Sequence, residues 1–200
     1  MPRKRRTREP DLTYHTRSRC IENRDMITDH FKEIMLRTIE KAQGKYKFEF
    51  IHYAILDNHF HFIIRTVQRG SDISSIMQYI KARFAETYNK STGRSGTFWS
   101  ERFKDIIVEN QPDPRQYFLS LMWHTGYKPV KKGIIPKPEL YKYSTIRCYL
   151  EKGYYTSIRI TYHTLFQQLG NTFTERAFKF RQWGAIYRVK YADQDKMPDP

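Results

Sequence analysis

The first 110 residues contain four short runs in which apolar and polar positions alternate, and each run is rich in β-branched and aromatic residues. Alternation with a period of two predicts β-strands. The predicted strands are residues 12–19, 47–56, 58–66 and 103–110. The second and third strands meet at Leu56, Asp57 and Asn58, a connection short enough to predict a tight antiparallel hairpin.

Helical spacing of apolar residues fills the intervals between these strands. An apolar stripe in residues 25–43 predicts a helix that lies on a sheet, and residues 71–88 predict a second, basic helix. A third helix is expected from residue 114 to Lys128, because Pro129 disfavours helical geometry in the residue before it. Three more helices are predicted near residues 144–151, 161–169 and 172–190.

Helices inserted between a few strands predict an α+β fold, with a central, mainly antiparallel sheet and packed helices. The chain is long enough for one domain with a real core, which we expect at residues 11–133. Residues 134–200 are expected to form a helical C-terminal extension packed on the same domain. Five of the first eight residues are Lys or Arg, so residues 1–10 are expected to be a disordered basic arm.

The charge balance indicates a polyanionic partner. Lys and Arg number 36 against 21 Asp and Glu, which gives a net charge of +15, and aromatic residues make up 16% of the chain. Cations that meet phosphates, together with rings that stack on bases, are typical of nucleic-acid binding. A basic protein with no specific partner and a binder of any polyanion stay as alternatives. The sequence shows no long apolar span, lipidation signal or secretory leader, so a cytoplasmic protein without a membrane partner is expected.

Two histidines one residue apart lie in the third predicted strand, in the stretch LDNHFHFIIRT. Residues two apart on a strand project from the same face, about 6.6 Å apart, so His59 and His61 can converge on one ion. Phe60 and Phe62 then point into the core. Imidazoles without paired cysteines suit a divalent metal such as Mg, Mn or Zn, and on a basic protein such an ion can polarise a phosphodiester oxygen. The alternative is an amphipathic strand that merely exposes two polar rings.

Further stretches accompany this hairpin in order over residues 11–190, namely GRSGTFWSERFKDIIVEN, KPVKKG, YKYSTIRCYLEKG and LFQQLG…AFKFRQW. With them the chain resembles the Y1 transposases of the IS200-like type, and among these the REP-associated tyrosine transposases. The resemblance implies a ferredoxin-like HUH single-strand nuclease domain that carries out DNA transposition and recombination with a divalent metal ion, Mg or Mn. A tyrosine on a nearby helix attacks a phosphodiester, which forms a 5′-phosphotyrosine and releases a 3′-hydroxyl. His59 and His61 match the metal-binding pair of the family, and the resemblance leaves open a monomer or a homodimer.

The chain departs from this family at the end of the third predicted helix. Family members close that helix with a pattern close to Tyr-Ile-x-x-Asn-Pro-Val, in which the tyrosine is the nucleophile and the asparagine is the third metal ligand. Here the stretch is HTGYKPV, so His124 stands at the nucleophile position and Lys128 at the position of the third ligand.

Three interpretations of the departure are open. In the first, the protein is a domesticated DNA- or RNA-binding regulator that has lost strand transfer. In the second, Tyr127 attacks and His124 joins the metal, since residues three apart are neighbours on a helix; Tyr117, about two turns earlier, is a weaker candidate. In the third, His124 itself is the nucleophile or general base. Lysine and a metal ion repel each other, so Lys128 is expected to neutralise a phosphate instead.

Six residues are candidates for holding DNA, because a single strand needs cations for its backbone and rings for its bases. They are Lys81, Arg83, Arg94, Trp99, Arg102 and Lys104. Trp99 is equally consistent with a core position. The resemblance implies a DNA hairpin with a single-stranded flank as the partner, so the stem is expected to lie on the basic helix and arm while the flank passes the histidines. Such a protein is expected to associate with the nucleoid.

Overall fold

A four-stranded antiparallel sheet forms the centre of the fold in residues 9–191, the part of the chain that the computed structural model describes. The strands are β1 (Thr13–Arg19), β2 (Phe48–Ile55), β3 (His59–Thr66) and β4 (Lys104–Ile107). Their order across the sheet is β2-β3-β1-β4, and every neighbouring pair is antiparallel. The predicted α+β fold is therefore confirmed. The predicted basic arm lies, up to residue 8, outside the described residues.

Six α-helices accompany the sheet in the described part of the chain. They are α1 (Asp29–Lys45), α2 (Ile73–Thr92), α3 (Pro114–Lys131), α4 (Ile146–Leu150), α5 (Thr164–Gln167) and α6 (Phe173–Tyr191). Each lies where helical spacing predicts one, but α1 begins at Asp29 rather than at residue 25. The residues before it are extended because the Ile27 amide donates to the carbonyl of Asp57, at 2.6 Å, in the hairpin connection. Within residues 9–191 no helix is both long and apolar enough to cross a membrane.

The prediction that Pro129 ends α3 is wrong, since the helix continues to Lys131. Proline lacks one backbone N–H group, and the loss of one hydrogen bond is tolerated in the last turn of a helix. The chain leaves the helix at Gly133, whose φ of +71° is the left-handed conformation that glycine adopts without strain. The Gly133 amide donates to the carbonyl of Val130 at 2.9 Å, which satisfies one of the terminal carbonyl groups.

The sheet carries a helical layer on each face. On one face α1 and α2 cover an aromatic core that includes the stacked rings of Phe60 and Phe62, whose centroids are 4.0 Å apart. On the other face α3 to α6 cover Ile51 and Ile63. The predicted inward direction of the two phenylalanines is confirmed. The C-terminal helices pack on the α3 side, and a domain boundary at residue 133 stays a prediction.

A β-bulge at Ile51 changes which side chains of β2 point to each face of the sheet. Upstream of the bulge Phe50 pairs with Ile64, and downstream of it Ala54 lies opposite His61. The extra residue shifts the alternation of side chains by one position. The small side chain of Ala54 therefore shares the face of the sheet that carries His61.

His52 fastens α3 to β2. Its Nδ1 atom lies 2.6 Å from the hydroxyl of Thr145, and its Nε2 atom lies 2.8 Å from the hydroxyl of Thr125 on α3. Burial lowers the pKa of His52 to about 3, so the ring is neutral at neutral pH, with one nitrogen donating and the other accepting. The hydrogen bond to Thr125 holds α3 against β2, and the hydrogen bond to Thr145 holds the start of α4 there.

Candidate functional site

His59 and His61, the histidine pair, lie side by side on β3 in the layer between the sheet and α3. Their ring centroids are 5.1 Å apart, and the ring planes cross at 81°. His61 is fully buried and His59 is 8% exposed. This burial excludes the alternative in which an amphipathic strand merely exposes two polar rings to solvent.

Asn58 fixes the ring of His59. The Oδ1 atom of Asn58 lies 2.5 Å from the Nδ1 atom of His59, and an amide oxygen only accepts, so His59 donates through Nδ1. The side-chain nitrogen of Asn58 donates in turn to the backbone carbonyl of Asn23 at 3.3 Å and to its Oδ1 atom at 3.2 Å. In a neutral ring this arrangement leaves the lone pair of His59 on Nε2.

His15 on β1 contacts the histidine pair, a connection that the sequence analysis missed. Its Nε2 atom lies 2.9 Å from the Nδ1 atom of His61, and the two rings stack with centroids 5.2 Å apart. His15 is two residues from Arg17, which lies directly opposite His61 in the sheet, so all three share one face. The alternation in the stretch TYHTRSR contains this signal, but it becomes readable only when the register between β1 and β3 is known.

Two basic residues of α3 lie at the pair. The ring centroid of His124 is 6.5 Å from that of His61, and Lys128 follows one turn later on the same face of the helix. Burial holds the pKa of His61 well below its ordinary value, and nearby basic groups lower it further. In descending order these groups are His59, His15, Lys128 and His124. The structure thus places a neutral His61 among basic side chains.

Tyr187 on α6 reaches the same site from a distant part of the sequence. Its hydroxyl lies 3.0 Å from the Nδ1 atom of His124, across 63 positions in the chain. Tyr187 is 1% exposed, so this contact is a buried one between α3 and α6. Because nothing local in the sequence relates the two residues, only the tertiary structure reveals the contact.

Tyr127, the predicted nucleophile, lies on the side of α3 that faces α6. Its ring stacks on Tyr187 with centroids 5.9 Å apart and also contacts Trp123 at 5.8 Å. In the described part of the chain no ring contact joins Tyr127 to either histidine of the pair. Burial raises the pKa of Tyr127, which makes its phenolate less accessible at neutral pH. The weaker candidate, Tyr117, is buried in the core under α3, and a nucleophilic role for either tyrosine stays a prediction.

The side chains around the histidine pair do not complete a metal site. Two imidazoles oriented through their Nδ1 atoms suit a divalent ion. However, within residues 9–191 no three His, Cys, Asp or Glu side chains are arranged to hold one. The position of the expected third ligand is occupied by Lys128, whose ammonium group repels a cation. The two histidines thus suit a divalent metal, whereas Lys128 at the position of the third ligand does not.

Two of the predicted DNA-binding residues are directed inward. The Lys81 ammonium donates to the carbonyl of Glu101 at 2.7 Å and lies 5.4 Å from the ring of Trp99. The indole N–H of Trp99 donates to the Lys81 carbonyl at 3.0 Å. Lys81 belongs to the buried stripe of α2 because it follows Met77 at helical spacing. These contacts hold the segment before β4 against α2, and DNA contacts of both residues stay predictions.

The other four predicted DNA-binding residues lie nearer the surface. Arg94 donates to the carbonyl of Thr97 at 2.8 Å and so shapes the loop after α2. Arg83, Arg102 and Lys104 are exposed. Exposed ion pairs join Arg83 to Glu86 at 2.7 Å and Lys104 to Glu101 at 3.1 Å. Such pairs are weak and exchange readily for a phosphate.

Comparison with known proteins agrees with the fold. A sequence profile of the family described as "Transposase IS200 like" matches residues 9–120, more than half of the chain. The fold is similar to that in "Structure of the REP associates tyrosine transposase bound to a REP hairpin", with a TM-score of 0.60, 24% identity, and coverage of 82% of this chain and 96% of that chain. No curated protein sequence matches the chain. The match over residues 9–120 shows that the chain belongs to the IS200-like transposase family, and the antiparallel sheet agrees with this.

Proposed function

We propose that this chain recognises DNA hairpins that carry a single-stranded flank, and that it does so without cleaving them through Tyr127. The observation that carries the proposal is the set of side chains at the histidine pair. His124 and Lys128 lie there, whereas Tyr127 packs against Tyr187 on α6. The scaffold that would present DNA is retained, and the groups that would react are replaced.

Charge and fold support DNA as the partner. The net charge of +15 attracts a polyanion, and Arg102 is exposed next to β4, where it is available to a phosphate. The similar transposase structure is one bound to a REP hairpin. A protein with this role would act on DNA at the nucleoid, in the cytoplasm.

Cleavage and joining through a tyrosine, with Mg or Mn, is the second candidate. It is favoured by the retention of the histidine pair, in which the Nδ1 atom of each ring has a protein partner. In this reaction the Tyr127 oxygen would bond to phosphorus as the bond to the 3′ oxygen breaks, and that oxygen would leave as a hydroxyl. His59 and His61 would hold the metal ion, whose charge would polarise the phosphate. The packing of Tyr127 on α6 and its raised pKa count against this candidate.

Binding and adduct formation on one labelled substrate distinguish the two candidates. A fluorescent hairpin with a flank is titrated with protein, once with EDTA and once with Mn²⁺, and the products are then separated on a denaturing gel. We expect binding in both conditions and no covalent band. A band that survives in Tyr155→Phe, whose ring is 84% exposed, but disappears in Tyr127→Phe would establish cleavage instead.

Competition experiments test whether the binding is specific. A hairpin-binding protein should prefer the flanked DNA hairpin over linear duplex, over the same hairpin made of RNA, and over heparin at physiological salt. Equal competition by heparin, with a steep salt dependence, would reduce the function to general polyanion binding. Light scattering on the same complexes decides between a monomer and a homodimer.

A further inference from the structure

A row of basic residues crosses the sheet at the level of the histidine pair. Lys104 on β4 lies opposite Arg17 on β1, and Arg17 lies opposite His61 on β3. One step along the same strands, Arg19 lies opposite His59. Residues directly opposite each other in antiparallel strands project from the same face. Two arginines and a lysine therefore share the face of the sheet on which the histidine pair lies.

Lys128 adds a cation to this row from α3. It lies one turn after His124, whose ring contacts that of His61. Lys128 is thus on the side of α3 that carries His124 toward the histidine pair, at the helix position where the family resemblance expects a metal ligand.

Arg19 carries a hydrogen-bond donor that the described residues leave unused. Its Nε atom is buried and has no hydrogen-bond partner within residues 9–191. The backbone of Arg19 is held in place, because its carbonyl accepts from the amide of Ser100 at 3.0 Å and from the hydroxyl of Ser100 at 3.1 Å. A buried N–H group of a guanidinium without an acceptor is unfavourable, and an anion would satisfy it.

We infer that this basic row binds a phosphate of the single-stranded flank beside the histidine pair, with the Lys128 ammonium in the place of a metal ion. The inference rests on the proposed function and specifies which part of the DNA the site holds. Charge favours a phosphate over a divalent cation at this site. A divalent cation would be repelled by Lys128 and the arginines, whereas a phosphate would meet opposite charge from both the sheet and α3.

Manganese binding is the first test. We expect no Mn²⁺ bound at the histidine pair of the wild-type protein, as measured by electron paramagnetic resonance. Lys128→Asn removes the ammonium group and supplies an amide oxygen, so it should bind one Mn²⁺ with nitrogen couplings from imidazole, and the further change His59→Ala should abolish that signal. Lys41→Asn makes the same charge change on α1, in the opposite layer, and should bind none. Imidazole-coupled Mn²⁺ in the wild type, or none in Lys128→Asn, would overturn the inference.

The second test compares a hairpin with a flank and the same hairpin without one, both in EDTA. Lys128→Asn should bind the flanked hairpin about tenfold more weakly, because a hydrogen bond to a charged group is lost. It should also lower the salt slope by about 0.7, the share of one single-strand phosphate. Lys41→Asn should change neither quantity. Equal weakening for both hairpins would reject the inference alone, whereas absence of binding to either hairpin by the wild type would reject the proposed function as well.

Discussion

Lowering the pH from about 7 to about 5 is expected to destabilise the protein strongly, because the folded protein buries neutral histidines. His52 is enclosed by the hydroxyls of Thr125 and Thr145, and burial lowers its pKa to about 3. His163 contacts Thr13 and stacks on Phe118; burial, with a smaller contribution from Arg65, lowers its pKa to about 4.

The sign of the effect follows from proton binding in the two states. In the unfolded chain each ring takes up a proton below its ordinary pKa of 6.5, whereas the folded rings stay neutral down to their own lower pKa values. The unfolded state therefore binds more protons in that window, so stability is complete above pH 6.5 and is lost as the pH falls. Between about pH 7 and pH 5 each ring costs about 2 kcal/mol, and the two together about 4 kcal/mol. A typical domain has only about 5–15 kcal/mol of stability in total.

Urea unfolding followed by circular dichroism at the two pH values measures this loss. His52→Gln removes one titrating ring, so the free energy lost between the two pH values should be about 2 kcal/mol smaller than in the wild type. His30→Gln changes an exposed histidine on α1 and should leave the loss as it is in the wild type. If folded His52→Gln loses as much stability as the wild type, burial of His52 is not the cause of the acid sensitivity.

Three further changes test packing, capping and DNA contact. Gly184→Ala should lower the free energy of unfolding by about 1–3 kcal/mol, because a Cβ atom there overlaps the indole of Trp123. Gly44→Ala places a Cβ atom in open space and should raise it by up to about 1 kcal/mol. Urea unfolding measures both changes. Asp72→Ala should cost about 1 kcal/mol in the same assay, since the carboxylate accepts from two backbone amides at the start of α2, and Asp72→Asn should retain most of that stability. Arg102→Ala should weaken hairpin binding and lower the salt slope by about 1 in fluorescence anisotropy; an unchanged slope would show that Arg102 meets no phosphate.

The positions of the strands and the faces of β3 could be predicted because they depend on local periodicity. A strand with histidines and phenylalanines in alternation must present the two kinds on opposite faces, and His59 and Phe60 do so. Helix existence was equally predictable from apolar spacing. The end of α3 was not, because the cost of Pro129 depends on how many turns follow it.

The rest of the site depends on contacts between distant segments. His15 joins the pair through the register of β1 on β3, and Tyr187 joins it through the packing of α6 on α3. Lys81 is a further case: a lysine on a basic helix is expected at the surface, but its ammonium group donates to a backbone carbonyl in the interior. Charge alone therefore could not separate the surface of α2 from its core.

The β-bulge at Ile51 has an evolutionary consequence for the site. If Phe50, just upstream of the bulge, were deleted and the downstream half of β2 kept its register, Phe48 would turn to the α3 side and Glu49 would enter the aromatic core. Insertions or deletions of single residues outside the bulge would therefore be selected against, while the surface loop after α2 could vary in length. Divergence of the family at this strand should proceed by exchange of side chains on a backbone of constant length.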